Sequence, residues 1–242
     1  MSDISPGTVA WFEIGTTDVE DVTRFYGGLF EWRFEPRSPE YTEIVAPGGT
    51  RPIGGIFTPG DELSLSILTP DVSGDLEKIR LAGATVVKPA SAPEGEGIVY
   101  ARLRDPLGNP FTLYSDERQQ PLEIVEGALD GFEIGTTVVD TTKGFYFECF
   151  GWTFDLDLNA PESPSPASCY NVISRDHRRI GRLVDRGLYG KDYAMPLFRV
   201  ADEQSSVEKA RSLGATIYSD PDDSGTRLLD PQGNRFGLTT GR

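Results

Sequence analysis

A short apolar run, Val9–Ile14, has the length of a strand and stops at Gly15. The period then changes. Val22, Phe25, Tyr26 and Leu29 recur at three- and four-residue steps, the buried face of a helix. Asp18 stands at its entrance as an N-cap, with Asp21 three residues on in the capping-box position. Strand-like segments follow at Trp32–Glu35, Tyr41–Ala46 and Ile53–Phe57, where Gly54 and Gly55 allow a close approach or a bulge. The order is β-α-β-β-β. It recurs at once: strand Leu63–Leu68, a helix from the cap Asp71 to Ala82 ended by Gly83, then strands Thr85–Val87, Ile98–Leu103 and Phe111–Tyr114. Pro89–Gly97 reads as an exposed loop, and DPLGN before the last strand as a tight turn.

The second half repeats the first. FEIGTT at Phe12–Thr17 returns at Phe132–Thr137, 120 residues later. Phe25-Tyr26 and Trp32 return as Phe145-Tyr146 and Trp152, and Asp105-Pro106-x-Gly108-Asn109 as Asp230-Pro231-x-Gly233-Asn234. The expected elements are strand Leu129–Ile134, helix Thr142–Phe150, strands Trp152–Leu156, Cys169–Ile173, Ile180–Leu183 and Met195–Val200, and helix Glu203–Leu213. Val138 occupies the place of Asp18, so Asp140 is expected to cap the third helix from slightly inside. Asn159–Ala167, with three prolines, reads as a loop or lid. The fold class is therefore α+β, with four βαβββ modules in two tandem domains: residues 1–117 and 128–242, joined by a linker at 118–127. Helices on one face of each module leave the other face to close as a cup of curved mixed sheets.

Charge and composition narrow the function. The net charge of −15 disfavours nucleic acid and anionic membrane as partners. No apolar run is long enough to span a bilayer, and the N-terminus lacks a signal-peptide pattern, so a cytoplasmic protein is expected. Cys149 and Cys169 have no CxxC partner and read as buried or partly buried free thiols. The one histidine, His177, sits in the turn Ser174–Arg179, which excludes a Ser-His-Asp triad. There is no GxGxxG or Walker loop.

The paired motifs carry a resemblance. Phe25-Tyr26 with Leu29-Phe30-Glu31-Trp32, Phe145-Tyr146 with Phe150-Gly151-Trp152, and the two DPxGN turns resemble the vicinal oxygen chelate superfamily of glyoxalases, bleomycin-resistance proteins and extradiol dioxygenases. The chain is most similar to two-domain actinobacterial members, often labelled hydroxylases or glyoxalase-like proteins. The resemblance implies tandem glyoxalase-like domains whose metal ligands would fall at Trp11, Ser64 and Thr112 in the first copy, and at Gly131, Met195 and Gly237 in the second. None of these six is His, Glu, Gln or Asp, so no metal and no cofactor is expected.

Strand parity then selects the inward residues. Trp11, Ser64, Ser66, Thr112 and Tyr114 line the first cup; Tyr193, Met195, Leu197, Gly237 and Thr239 line the second, with Tyr41, Tyr100 and Tyr170 at the rims. Gly131 and Gly237 would enlarge one cup and Trp11 fill the other. Glu13 and Glu133 share the inward parity. A carboxylate there either makes a salt bridge or hydrogen bond, contacts a ligand, or acts as the catalytic acid or base. Aromatic walls with a few hydroxyls suit a small organic ligand. Three functions remain open: metal-independent binding of an aromatic or natural-product-like molecule, a lyase, isomerase or hydroxylase-like enzyme on such a compound, and a non-catalytic protein-interaction or stress protein. The chain would be a monomer with an internal pseudo-dimer, or a homodimer.

Overall fold

The computed structural model describes residues 5–93, 97–117, 125–156, 170–187, 190–218 and 226–241. The first half contains β1 (Val9–Gly15), α1 (Val19–Phe30), β2 (Arg33–Ser38), β3 (Tyr41–Val45), β4 (Pro52–Phe57), β5 (Leu63–Leu68), α2 (Val72–Leu81), β6 (Thr85–Ser91), β7 (Ile98–Arg104) and β8 (Pro110–Asp116). The second contains β9 (Leu129–Thr136), α3 (Val139–Phe150), β10 (Thr153–Leu156), β11 (Tyr170–Arg175), β12 (Arg178–Asp185), β13 (Tyr193–Arg199), α4 (Glu203–Ser212), β14 (Thr216–Ile217), β15 (Arg227–Leu229) and β16 (Arg235–Thr239). Among the described residues no helix is long and apolar enough to cross a membrane.

Local chemistry accounts for the helix ends. Asp18, Asp71 and Asp202 each accept a backbone N–H of the first turn, from Asp21, Gly74 and Ser205. α3 differs from expectation: Val138 is the N-cap, with no side-chain bond, and Asp140 falls inside the first turn. There Thr136 Oγ1 accepts the Val138 N–H just as Thr16 Oγ1 accepts the Asp18 N–H, so the first turn of α3 goes without the side-chain acceptor that Asp18 supplies to α1. β6 runs on through Pro89 to Ser91, where a loop was expected. It is an outer strand with register shifts, where a proline costs no ladder donor.

The strands form two mixed sheets, ordered β2-β3-β4-β1-β5-β8-β7-β6 and β10-β11-β12-β9-β13-β16-β15-β14. Neither is closed or strongly curled, which corrects the expected curved sheets. The outer strands explain this. β2 carries Pro36 beside a register shift, β6 carries Pro89, and β14 has two residues, so the edges offer no ladder on which to close.

Packing density groups the chain into two compact units. One comprises residues 1–10, 65–122 and 132–194, the other residues 11–64, 123–131 and 195–242. In the first, Tyr146 of α3 stacks on Trp152 at 4.6 Å and 4°, and Phe111 of β8 meets Phe145 and Phe150 edge-on. Trp152 Nε1 donates to the Gly7 carbonyl at 2.7 Å. The second unit repeats the arrangement: Tyr26 stacks on Trp32, Phe236 meets Phe25, and Trp32 Nε1 donates to the Gly127 carbonyl at 3.0 Å. Each buried aromatic of this size contributes several kcal/mol, with truncation costing about 3–5 kcal/mol. The repeated aromatic motifs are thus the cores of the two units.

Candidate functional site

The DPxGN turns are the most conspicuous polar motifs, and both are consumed by structure. Asp105 Oδ1 accepts the N–H of Leu107 and Asn109; its Oδ2 accepts Asn109 Nδ2 and the Tyr146 hydroxyl, the last at 3.1 Å. Asp230 does the same with Gln232, Asn234 and the Tyr26 hydroxyl, at 3.0 Å. Burial and the neighbouring carboxylate hold both phenols well above the ordinary tyrosine range. These groups order turns and anchor helices.

In the unit holding Leu65–Leu68 of β5 and strands β6 to β8, one strand parity presents a different set. β5 pairs with β8 in parallel, matching Ser66 to Thr112, and β7 and β6 continue the row with Arg102 and Lys88. Ser66, Thr112, Arg102 and Lys88 therefore form one cross-strand row of four. The next row holds Tyr114, Tyr100 and Ser91. Ser66 is 1% and Thr112 3% exposed, while Arg102, Tyr100 and Tyr114 are half-buried. The Ser66 hydroxyl is buried without a hydrogen-bond partner. The Lys88 ammonium donates to the Tyr100 hydroxyl, and the Arg102 guanidinium lies 5.6 Å from that ring's centre. Burial, with Asp116 nearby, raises the Tyr114 hydroxyl far above its usual range.

Parity placed Ser66, Thr112 and Tyr114 on this face; Arg102 was not singled out. A signal for it existed. Arg102-Leu103 precedes Asp105-Pro106 as Arg227-Leu228 precedes Asp230-Pro231, so the arginine is part of the repeat. Its counterpart Arg227 is 2% exposed on β15. There the row has changed character. Leu197, Gly237 and Arg227 are register partners, and Leu197 and Gly237 stand where the first copy has Ser66 and Thr112. A Cβ on Gly237 would lie 2.5 Å from Leu197 Cδ2 and 3.5 Å from Met195 Cε. The space that Gly237 leaves is filled by these apolar side chains. Thr239, at the strand end, is half-buried and accepts the Gly241 N–H.

The two glutamates occupy unlike settings. Glu133 is fully buried; Arg182, its register partner on β12, donates to Oε2, and the Tyr193 hydroxyl donates to Oε1 at 2.5 Å. The Tyr193 ring covers Gly135, where a Cβ would collide with it, and Arg186 approaches the same ring. In the other unit Glu13, also buried, stands opposite Gly55, and the Tyr41 hydroxyl fills the place of a Gly55 side chain. Trp11 beside it is half-buried, and Ser64 is buried on β5. Tyr170, Asn159–Ala167 and Cys169 lie outside the residues whose side chains are described. Cys149 is half-buried, its thiol pushed up to about 12 by burial. His177 is exposed in the β11–β12 turn.

The residues at the six positions that the resemblance pairs with metal ligands are Trp11, Ser64, Thr112, Gly131, Met195 and Gly237, and that donor set does not fit a transition metal. Among the described residues no group of three or more His, Cys, Asp or Glu could hold one.

A model of the glyoxalase-like domain matches residues 11–114. DauV, an anthracycline biosynthesis protein of Streptomyces sp. (strain C5), is 25% identical over 265 residues, covering 98% of this chain and 94% of DauV. Among solved structures, the Mn(II)-bound glyoxalase from Novosphingobium aromaticivorans superposes with a TM-score of 0.61 at 13% identity, covering 98% of this chain and 83% of that one. A catechol 2,3-dioxygenase superposes with a TM-score of 0.57 at 11% identity, covering 97% and 94%. At these identities the solved structures show a shared fold.

Proposed function

We propose that the chain, whose residues 11–114 match the glyoxalase-like domain, binds a flat, oxygen-bearing aromatic molecule of natural-product type, without a metal, on the β5–β8–β7 face. The observation that carries this is the Ser66 hydroxyl, buried and unpartnered. A buried hydroxyl left unsatisfied costs about 1–3 kcal/mol, a cost that a ligand oxygen removes. Thr112 lies one strand away and Tyr100 and Tyr114 flank it, so the face joins hydroxyls to aromatic walls. The name of DauV, an anthracycline biosynthesis protein, supports a ligand of polycyclic aromatic type. The donor set at the six ligand positions supports binding without a metal. The enzyme reading gains nothing at Glu133, since Arg182 and Tyr193 engage both its oxygens.

Calorimetric titration with a dihydroxyanthraquinone tests the reading. Ser66→Ala is expected to weaken binding about tenfold, the value of one hydrogen bond. The unliganded variant is expected to melt at or above the wild-type temperature, because an unsatisfied polar atom has been removed. Unchanged affinity in Ser66→Ala would refute the assignment of this face.

A further inference from the structure

We infer that the ligand carries an oxygen anion, a carboxylate or phenolate, directed at Lys88 and Arg102; this rests on the binding face proposed above. The cross-strand row runs from hydroxyls to cations: Ser66, Thr112, Arg102, Lys88. Both cations gather on one ring, with the Lys88 ammonium 4.7 Å and the Arg102 guanidinium 5.6 Å from the Tyr100 centroid. Arg104, two residues along β7 from Arg102, extends the same face, its guanidinium donating to the Gly108 carbonyl. The acid of this parity on β8 is Asp116, opposite Ile98 at the other end of the strand and beside Tyr114. The face thus gathers three basic side chains, Lys88, Arg102 and Arg104, at one end in a chain of net charge −15.

Such a concentration of positive charge on half-buried side chains runs against the rest of the surface charge. It strengthens attraction for an anion relative to water, because the surrounding sheet lowers the local dielectric. Arginine adds a planar fork suited to a carboxylate, and the lysine a movable point charge. Ser66 and Thr112, at the other end of the row, hydrogen-bond the ligand's neutral oxygens. An aromatic acid with a carbonyl or hydroxyl on the far ring meets both ends.

The test uses two probes of one shape, an anthraquinone carboxylate and its primary carboxamide, titrated calorimetrically against the full chain at low and moderate salt. The carboxylate is expected to bind at least about tenfold more tightly, with the preference shrinking as salt rises. Lys88→Met is expected to remove most of the carboxylate-over-carboxamide preference, while Lys88→Arg retains it. Equal affinities of the wild-type chain for the two probes would overturn the anion assignment, whether or not the variants fold, and leave the binding face standing. Failure of both probes to bind would instead overturn the binding reading and the inference with it.

Discussion

The Tyr146 hydroxyl donates to Asp105 Oδ2 across 3.1 Å, and 120 residues earlier in the chain Tyr26 makes the same bond to Asp230 at 3.0 Å. In each case the phenol comes from one copy of the repeat and the aspartate from the other. The FY and DPxGN motifs are the two halves of one interaction. Tyr146→Phe leaves a buried carboxylate oxygen one donor short and is expected to cost about 1–3 kcal/mol in urea unfolding. Tyr26→Phe is expected to cost a similar amount. No loss in either variant would show that the bond is idle.

The same phenols set an alkaline limit. Burial, and then the neighbouring carboxylate, raises their folded-state pKa values above the usual 10.0 of a tyrosine. Above about pH 10 the unfolded chain therefore loses protons that the folded chain keeps, and stability falls as pH rises. Below that pH the contribution is fully present. The Tyr26→Phe/Tyr146→Phe pair should start less stable at pH 8 and show a shallower decline between pH 8 and 11. Urea midpoints across that range give the comparison.

Gly7 receives the Trp152 indole N–H while its own φ is +85°, and a Cβ would lie 2.9 Å from the Phe150 carbonyl oxygen. Gly7→Ala is therefore expected to lower stability by more than about 1 kcal/mol. Gly48→Ala, also at positive φ but with nothing near its Cβ, separates the backbone strain from the collision. Equal losses at the two positions would remove the collision from the account.

Arg182 neutralises the fully buried Glu133. Arg182→Ala leaves a buried charge with one fewer partner and is expected to cost more than about 2 kcal/mol. Arg37→Ala breaks a solvent-exposed pair with Glu43 and is expected to cost about 1 kcal/mol or less. Thermal unfolding of the two variants side by side checks the order.

The duplication, the four modules and most strands were legible because each rests on local period or repetition. Asp18 and Asp71 mark two helix starts; at Val138 no aspartate stands and no side chain caps α3, so its start leaves no capping signature. Sheet curvature was not legible, since it depends on what edge strands find to pair with and not on any one strand's pattern. Parity brought Ser66, Thr112 and Tyr114 to one face because they share strands of regular period. Arg102 escaped notice, although its repeat at Arg227 was visible, because its neighbours in space come from β6 and β8 and not from its own strand. The partners of Glu133, 49 and 60 residues away, were equally hidden.

Native mass spectrometry of the purified chain, combined with elemental analysis, tests the central claim most directly. Metal-free protein should take up one equivalent of the dihydroxyanthraquinone, and a Ser66→Ala/Thr112→Val variant should retain less of it. A stoichiometric transition metal in the purified protein, or binding that requires one, would contradict the account.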